Sequence, residues 1–393
     1  MKINEILKPT FWKVVSVVIV TMGLFSTYYR FSRGLGTTTN LHDSVPWGLW
    51  IGFDFLGVGL AAAGFTIAAT VHIFNIHKYE SLVRPAVLTA FLGYSVVVCL
   101  LVVDLGRPEN FWHPLVMWNI HSVMFEITWC LICYTTVIVL EFAPVVLEKY
   151  NIKAPVKFLK IISVPVVIAG VLFSTLHQSS FGSLYLIVPG KLHPLWYSSL
   201  LPVHFYISCI ASGLSMVIFE AFLVTRALTK KDGFNNTELK MNVLSGVAFA
   251  VLFALIAGLL LKIYDFIDNG KAIYLTMLST ETYLFYLEII LGTIVPSYLL
   301  SFKKYREDKK WLYISSVCVI SGLILNRLNV SITGLTASSG VDYFPSFDEI
   351  SITMMLVVLA IFAFRIIAKN FAVFVNEEPA DFEKDSAQLI GNK

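Results

Sequence analysis

Apolar residues run along this chain in long blocks, not in the alternating pattern of half-buried strands or the narrow stripe of surface helices. About 20 consecutive apolar residues suffice for a helix to cross a bilayer. Ten such blocks lie at roughly 11–30, 48–74, 85–105, 119–146, 158–176, 201–226, 241–266, 281–301, 311–330 and 349–371. The segments between them are short and leave no room for a soluble domain. The pattern predicts an all-α integral membrane protein, with one polytopic domain over 1–376 and a polar tail over 377–393. The first block reads as a span and not a cleaved signal, because Tyr28-Tyr29-Arg30-Phe31 follows it where a small-residue cleavage site would stand.

Composition supports this reading. Of 393 residues, 57% are hydrophobic and 14% charged, where a soluble chain carries about 25% charged residues. A soluble enzyme, a disordered chain and a nucleic-acid binder are excluded. The net charge of +3 is small and the basic residues are scattered. The five cysteines all fall inside predicted spans. Cys130 and Cys133 form C-x-x-C on an apolar helix with no histidine beside it, so they read as two small apolar residues and not as a metal or redox site. No C-x-x-C-H and no cluster-binding cysteine run occurs, so neither a c-type haem nor an iron–sulfur cluster is expected in this chain.

Charge bias sets the orientation. With the N-terminus in the cytoplasm, 22 of the 29 Lys and Arg fall on the inner side. Both termini are then cytoplasmic, as ten spans require. The outer loops, 31–47, 106–118, 177–200, 267–280 and 331–348, are rich in Trp, His, Pro, Gly and Ser and are the better candidates for a partner surface. A weak internal repeat is visible. Glu126 in the fourth span and Glu288 in the eighth have similar surroundings, and Asp104 and Asp265 end the third and seventh. Two four-helix bundles, spans two to five and six to nine, with flanking helices would produce it.

Ionisable groups inside a membrane are expensive and usually mark a pathway. Asp54, Glu126, Glu220 and Glu288 are carboxylates within predicted spans, and Tyr94 sits near mid-depth of the third. His177 is predicted to close the fifth span at the outer face, and His204 to open the sixth. Asn119 and His121 are placed on the helix ahead of Glu126. An outer cluster of acids and histidines follows, with Glu220, Tyr94 and Glu126 as steps toward it from the inner side. Arg30, Lys262, Asp265 and Arg327 read as helix-end charges that snorkel to the interface. Asp104 and Arg107 read as a structural pair, and Glu141 as a solvated inner-face residue. A b-type haem needs facing histidines; His121, His177 and His204 leave a single outer haem open but exclude a stacked pair.

Several stretches carry a resemblance. They include Val45-Pro46-Trp47-Gly48-Leu49-Trp50, Gly93-Tyr94-Ser95, His121-Ser122-Val123-Met124-Phe125-Glu126, His193-Pro194-Leu195-Trp196 and, most specifically, Leu176-His177-Gln178-Ser179-Ser180-Phe181-Gly182-Ser183-Leu184. Over about 45–371 the chain resembles the NrfD/PsrC family of membrane quinone-reacting subunits, most nearly the HybB type found in hydrogenase-2-like complexes.

The resemblance implies a subunit without its own haem or iron–sulfur cluster. It implies menaquinone or ubiquinone in a pocket made by Asp54, Trp50, Glu126, His121 and His177. It implies proton transfer through Tyr94, Glu126, His177 and Glu220. It implies a periplasmic iron–sulfur partner, with hydrogenase or other redox subunits, at the bacterial inner membrane. No metal site and no nucleic acid are implied. The membrane subunit of a multihaem cytochrome or sulfur-cycle complex is the alternative within the family. A secondary transporter, whose repeats and buried acids would suit a carrier, and a purely structural anchor are the alternatives outside it.

Overall fold

The structure is a computed structural model that describes residues 11–227, 240–371 and 373–374. The tail expected over 377–393 lies outside the described residues. Ten helices are long and apolar enough to cross a membrane. They are α1 (Phe11–Arg33), α2 (Leu49–His72), α3 (Val83–Asp104), α4 (Val123–Lys149) and α5 (Ser163–Leu186), then α6 (Leu201–Ala227), α7 (Met241–Asp268), α8 (Thr280–Ser301), α9 (Lys309–Ser339) and α10 (Phe347–Asn370). Among the described residues there is no strand, only a single bridge pairing His42 with Val45.

Adjacent helices in sequence pack as antiparallel neighbours: α2 on α3, α3 on α4, α4 on α5, then α6 on α7 and α8 on α9; α6 also packs on α9. The two sets meet where α6 crosses α2 and α5, and where α9 crosses α2. α1 packs chiefly on α10, and α10 on α3. Phe11, Trp12, Val17 and Phe25 on α1 stay exposed, as a lipid-facing helix requires. Aromatic residues from both sets, including Phe55, Tyr94, Tyr134, Phe181, Tyr185, Trp196 and Phe205, share one buried cluster.

Backbone regularity is interrupted in three places. α2 breaks at Ala62, in the Gly59 to Gly64 run of small residues. α8 and α9 each contain a π-helical turn, Ile290–Ile294 and Asn329–Thr333. At the first of these Gly292 faces Gly322 of α9 so closely that a Cβ on either would strike the other's backbone. Small residues permit such an approach between membrane helices.

Two helix ends differ from the sequence expectation, with one physical cause. α5 continues to Leu186, so His177 lies about 13 Å of helix inward from its end and does not close the span. The polar Gln178 to Ser183 stretch reads as loop in sequence. In the fold the Ser179 and Ser183 hydroxyls donate back to the carbonyls of Thr175 and Ser179, so the helix satisfies them itself. α4 instead begins at Val123, with Ser122 as its N-cap. Asn119 and His121 therefore stand in the connector ahead of it, and Glu126 is in its first turn.

The helix-end charges are corrected too. Arg30 is 1% exposed and donates to the Val103 and Leu105 carbonyls at 2.8 and 2.6 Å. These are orphan acceptors at the C-terminus of α3, so Arg30 caps a neighbouring helix and does not snorkel. Asp104 lies within electrostatic reach of this guanidinium, and it forms no ion pair with Arg107, which is exposed. Arg327 and Asp265 are buried as well, and Lys262 is half-buried with its ammonium on Glu288. Replacing Arg30 by Met should lower stability by about 2–3 kcal/mol, because two buried carbonyls lose charge-assisted donors. Thermal unfolding of the detergent-solubilised protein reads this as a lower Tm.

Candidate functional site

The packing of α3, α4, α5 and α6 brings together polar groups that sequence only ranks by depth. Tyr94 of α3 and His177 of α5 meet through the phenol oxygen and Nδ1 at 3.1 Å. Both are buried, and Tyr134 and Phe181 pack on their rings. Toward the basic end of α3, Thr89 donates to Glu220 of α6 at 2.5 Å. Toward the other end of α5, Ser180 donates to Glu126 of α4 at 2.7 Å. Thr89 and Tyr94 share a helix, about 7 Å of rise apart, as do His177 and Ser180, about 4 Å apart. The four residues singled out for proton transfer thus sit on three consecutive pairs, each pair joined to the next by a helix. Their linkers, Thr89 and Ser180, carry no charge and are therefore silent in a search for ionisable groups.

Asp54 is 2% exposed, and its Oδ1 has no hydrogen-bond partner. It lies within electrostatic reach of Tyr94 and Asp104. His177 Nε2 is likewise buried and without a partner. Phe55 and Phe181, their rings 4.6 Å apart, line the contact of α2 with α5. Beside His177, Gln178 ties this contact together: its amide Nε2 donates to the Val58 carbonyl at 2.8 Å, and its Oε1 accepts from Cys209. Glu126 is exposed at the start of α4, where a carboxylate is favoured by the helix dipole.

Trp50 and His121 have other surroundings. Trp50 is buried against Leu100, Val103 and Ile352, and its indole donates to the Glu349 carbonyl of α10 at 3.3 Å. Gly48 leaves room for the Tyr343 hydroxyl, which accepts from Leu49 and donates to Glu349. Burial pushes the Tyr343 phenol up, so it stays a donor. The Pro46-Trp47-Gly48-Leu49-Trp50 motif is in this way a clamp between the entry of α2 and α10. His121 is exposed, with its backbone N–H on Asn119 Oδ1. Glu141 is half-buried and approaches Gly170 of α5, where sequence places it in solvent.

A second polar centre lies among α6 to α9. Glu288, 4% exposed, accepts from Lys262 and Asn326 on one oxygen and from Trp196 and Asn329 on the other, at 2.8–3.2 Å. Asp265 accepts from Ser198, Asn269 and Lys271. His193 anchors the adjoining loop: its N–H donates to the Gly334 carbonyl and its Nδ1 accepts from Leu195. Burial pulls the His193 imidazole below its usual range, and the Glu281 carboxylate opposes this. His204 faces this centre. His121, His177 and His204 accordingly occupy three different surroundings. Among the described residues no group of His, Cys, Asp and Glu is arranged to hold a metal ion, and the five cysteines are unbridged.

The sequence pattern described as "Polysulphide reductase, NrfD" matches residues 37–338, which includes the Thr89–Glu220, Tyr94–His177 and Ser180–Glu126 pairs. The chain belongs to the NrfD family. Its relatives include the probable Ni/Fe-hydrogenase 2 b-type cytochrome subunit of Escherichia coli, 30% identical over 97% of this chain and 98% of that one. The menaquinone reductase integral membrane subunit of Nitratidesulfovibrio vulgaris is 24% identical over 93% and 92%. A selenate reductase subunit of Mesobacillus selenatarsenatis is 25% identical over 94% and 95%. The alignments with these relatives run nearly end to end.

Glu288 is the hub of the second centre. Its replacement by Ala leaves half-buried Lys262 without its counter-ion and strips three neutral donors of their acceptor. A loss of about 3 kcal/mol follows, chiefly from donors left without an acceptor, measurable as a fall in Tm.

Proposed function

We propose that this chain is the quinone-reactive membrane subunit of a respiratory oxidoreductase complex. In this reading it exchanges electrons between an iron–sulfur partner on the periplasmic side and the quinone pool of a bacterial inner membrane, with both of its termini in the cytoplasm. The observation that carries the reading is a pair of buried, unpartnered polar atoms, Asp54 Oδ1 and His177 Nε2, beside the Tyr94–His177 contact. Unsatisfied buried polar atoms in lipid cost several kcal/mol, and a ligand that bonds to them removes that cost.

The residues fit a quinone as substrate. When the Tyr94 hydroxyl donates to Nδ1, a neutral His177 carries its proton on Nε2 and presents a donor to a carbonyl oxygen. Asp54, when protonated, is a second donor, and when ionised it is a proton acceptor. The substrate supplies two-electron, two-proton redox chemistry. The chain itself then needs to provide only binding, orientation and proton delivery. Glu220 with Thr89 is placed to feed protons from the basic end, and Tyr94 with His177 to hold them at the reaction centre. Ser180 with Glu126 connects that centre to the outer end. Glu126 and His121, both exposed at that end, are suited to the rim of the site or to partner contact. Trp50 acts on the site indirectly, by fixing the entry of α2 that carries Asp54.

Menaquinone or ubiquinone serves equally in this chemistry. A periplasm-facing [NiFe]-hydrogenase that reduces menaquinone is the favoured parent complex, on the strength of the Escherichia coli relative. No haem is required in this chain, because a partner cluster within tunnelling reach of the pocket supplies the electrons.

The test uses membranes that hold the assembled complex. Asp54→Asn and His177→Ala should reduce quinone turnover about 100-fold or more, with the amount of retained partner unchanged. Glu220→Gln should leave partner retention intact and slow proton uptake more than Glu126→Gln does. Unchanged turnover in the first two variants, with the partner retained, overturns the assignment.

A further inference from the structure

Spans α6 to α9 enclose a cavity of about 110 Å³. This is of the order of cavities that admit a benzene-sized ring. Its polar end is formed by His204, Lys262, Glu288, Asn326 and Arg327. Its other end is apolar, lined by Ile207, Ala211, Gly258, Leu259, Ile289 and Val319. The backbone of α7 lies close to the inner half of α8, Val295–Ser301, and stands farther from the outer half, Thr280–Ile289, where Lys262 reaches across to Glu288 and Phe266 stacks on Phe285. Half-buried Gly258, Leu259, Lys262 and Ile289 flank that divergence. The cavity thus has a polar head region and an apolar body, beside a parting of two lipid-facing helices. The π-helical turns of α8 and α9 adjoin it, and such turns are frequent at functional sites.

Hydrogen bonding decides what chemistry it takes. Both oxygens of Glu288 are already filled by four donors, so this carboxylate is not offering itself to an incoming donor. Asp265 is engaged by Lys271. What is left over is donor capacity. Arg327 is 1% exposed, and its Nε–H, a donor in every state, has no partner; His204 Nε2, a donor in the Nε2–H tautomer, is also buried and without one. The head region therefore calls for oxygen acceptors. A phosphate would need the bidentate fork of a guanidinium. That fork is spent here: Nη1 of Arg327 donates to Asn326, and Nη2 to the Phe205 carbonyl and Ser208. Single donors suit carbonyl oxygens, and the aromatic walls Trp196, Phe205 and Phe266 suit a planar ring.

We propose that α6 to α9 form a second amphiphile site, separate from Asp54 and His177, that takes a ring with carbonyl oxygens at its polar end and lets an apolar tail leave between α7 and α8. A quinone has this chemistry. The choice of quinone rests on the function proposed above; the acceptor-headed, apolar-tailed character of the ligand does not.

The test is a fluorescence-quenching titration of the full chain in detergent with a heptylhydroxyquinoline N-oxide, a quinone analogue. Wild type should saturate at two equivalents per chain. Gly258→Leu fills the cavity; a Cβ at Gly258 meets only Ile207 Cγ2, at 3.4 Å, so the wall tolerates the start of a side chain. This variant should bind one equivalent, and so should Asp54→Asn combined with His177→Ala. As a check free of folding effects, an azido-quinone photolinked to the wild-type protein should label peptides of α7 or α8 as well as of α2 or α5. Saturation of wild type and Gly258→Leu alike at one equivalent, with no label on α7 or α8, overturns the proposal. So does native mass spectrometry that finds a phospholipid held by wild type, lost in Gly258→Leu and not displaced by the analogue. If Gly258→Leu loses an equivalent while the Asp54 and His177 variant does not, the second site stands and the first assignment falls.

Discussion

In a bilayer a buried polar group finds no water, so each one must be met by the protein itself. Much of this fold follows from that constraint. Arg30 lies across the end of α3 because the carbonyls of Val103 and Leu105 have no helical donor. Ser179 and Ser183 turn back onto their own helix, which keeps α5 helical through a stretch that would be loop in water. Glu349 closes a capping box with Ser346 and takes the Tyr343 hydroxyl, so α10 begins without an orphan end. Glu288 collects four donors from three different segments. Each such group stabilises a specific contact between helices, since lipid tails give apolar helix faces little reason to prefer one another.

The exceptions to this constraint carry the functional argument. Twelve buried side-chain atoms are unpartnered among the described residues, most of them hydroxyls; of the nitrogen and carboxylate atoms, Asp54 Oδ1 and His177 Nε2 are unmet among α2, α3 and α5, Arg327 Nε and His204 Nε2 among α6 to α9, and Glu349 Oε1 at the start of α10. The first pair stands beside a ladder of hydroxyl, imidazole and carboxylate groups, which suits proton delivery. The second stands in a cavity whose carboxylates are already saturated, which suits recognition of an acceptor. The weak repeat between Glu126 and Glu288 is in chemical terms a divergence. Glu126 is exposed with one serine donor, and Glu288 is buried and locked.

Sequence located the spans well, because twenty apolar residues in a row leave few alternatives to a membrane helix. It located their ends poorly where polar residues continue a helix. His177 moved from a helix end to its interior, and Glu126 from the interior of a helix to its first turn. Arg30, Asp265 and Arg327 were misread for a related reason. A charge near the end of an apolar run can reach the interface or reach a neighbouring helix, and which one it does depends on what that neighbour leaves unsatisfied.

The number and approximate extent of the spans, the membrane setting, the family and the identity of the ionisable candidates were all legible in the order of residues. These depend on local apolar length and on motif, which one chain segment carries alone. The pairing of Tyr94 with His177, of Thr89 with Glu220 and of Ser180 with Glu126 was not legible, because each joins residues from different helices. The same holds for the isolation of Trp50 at the α10 contact and for the cavity around Arg327. Only packing determines which faces meet, and a helix of nearly uniform hydropathy gives little indication of the face it will turn inward.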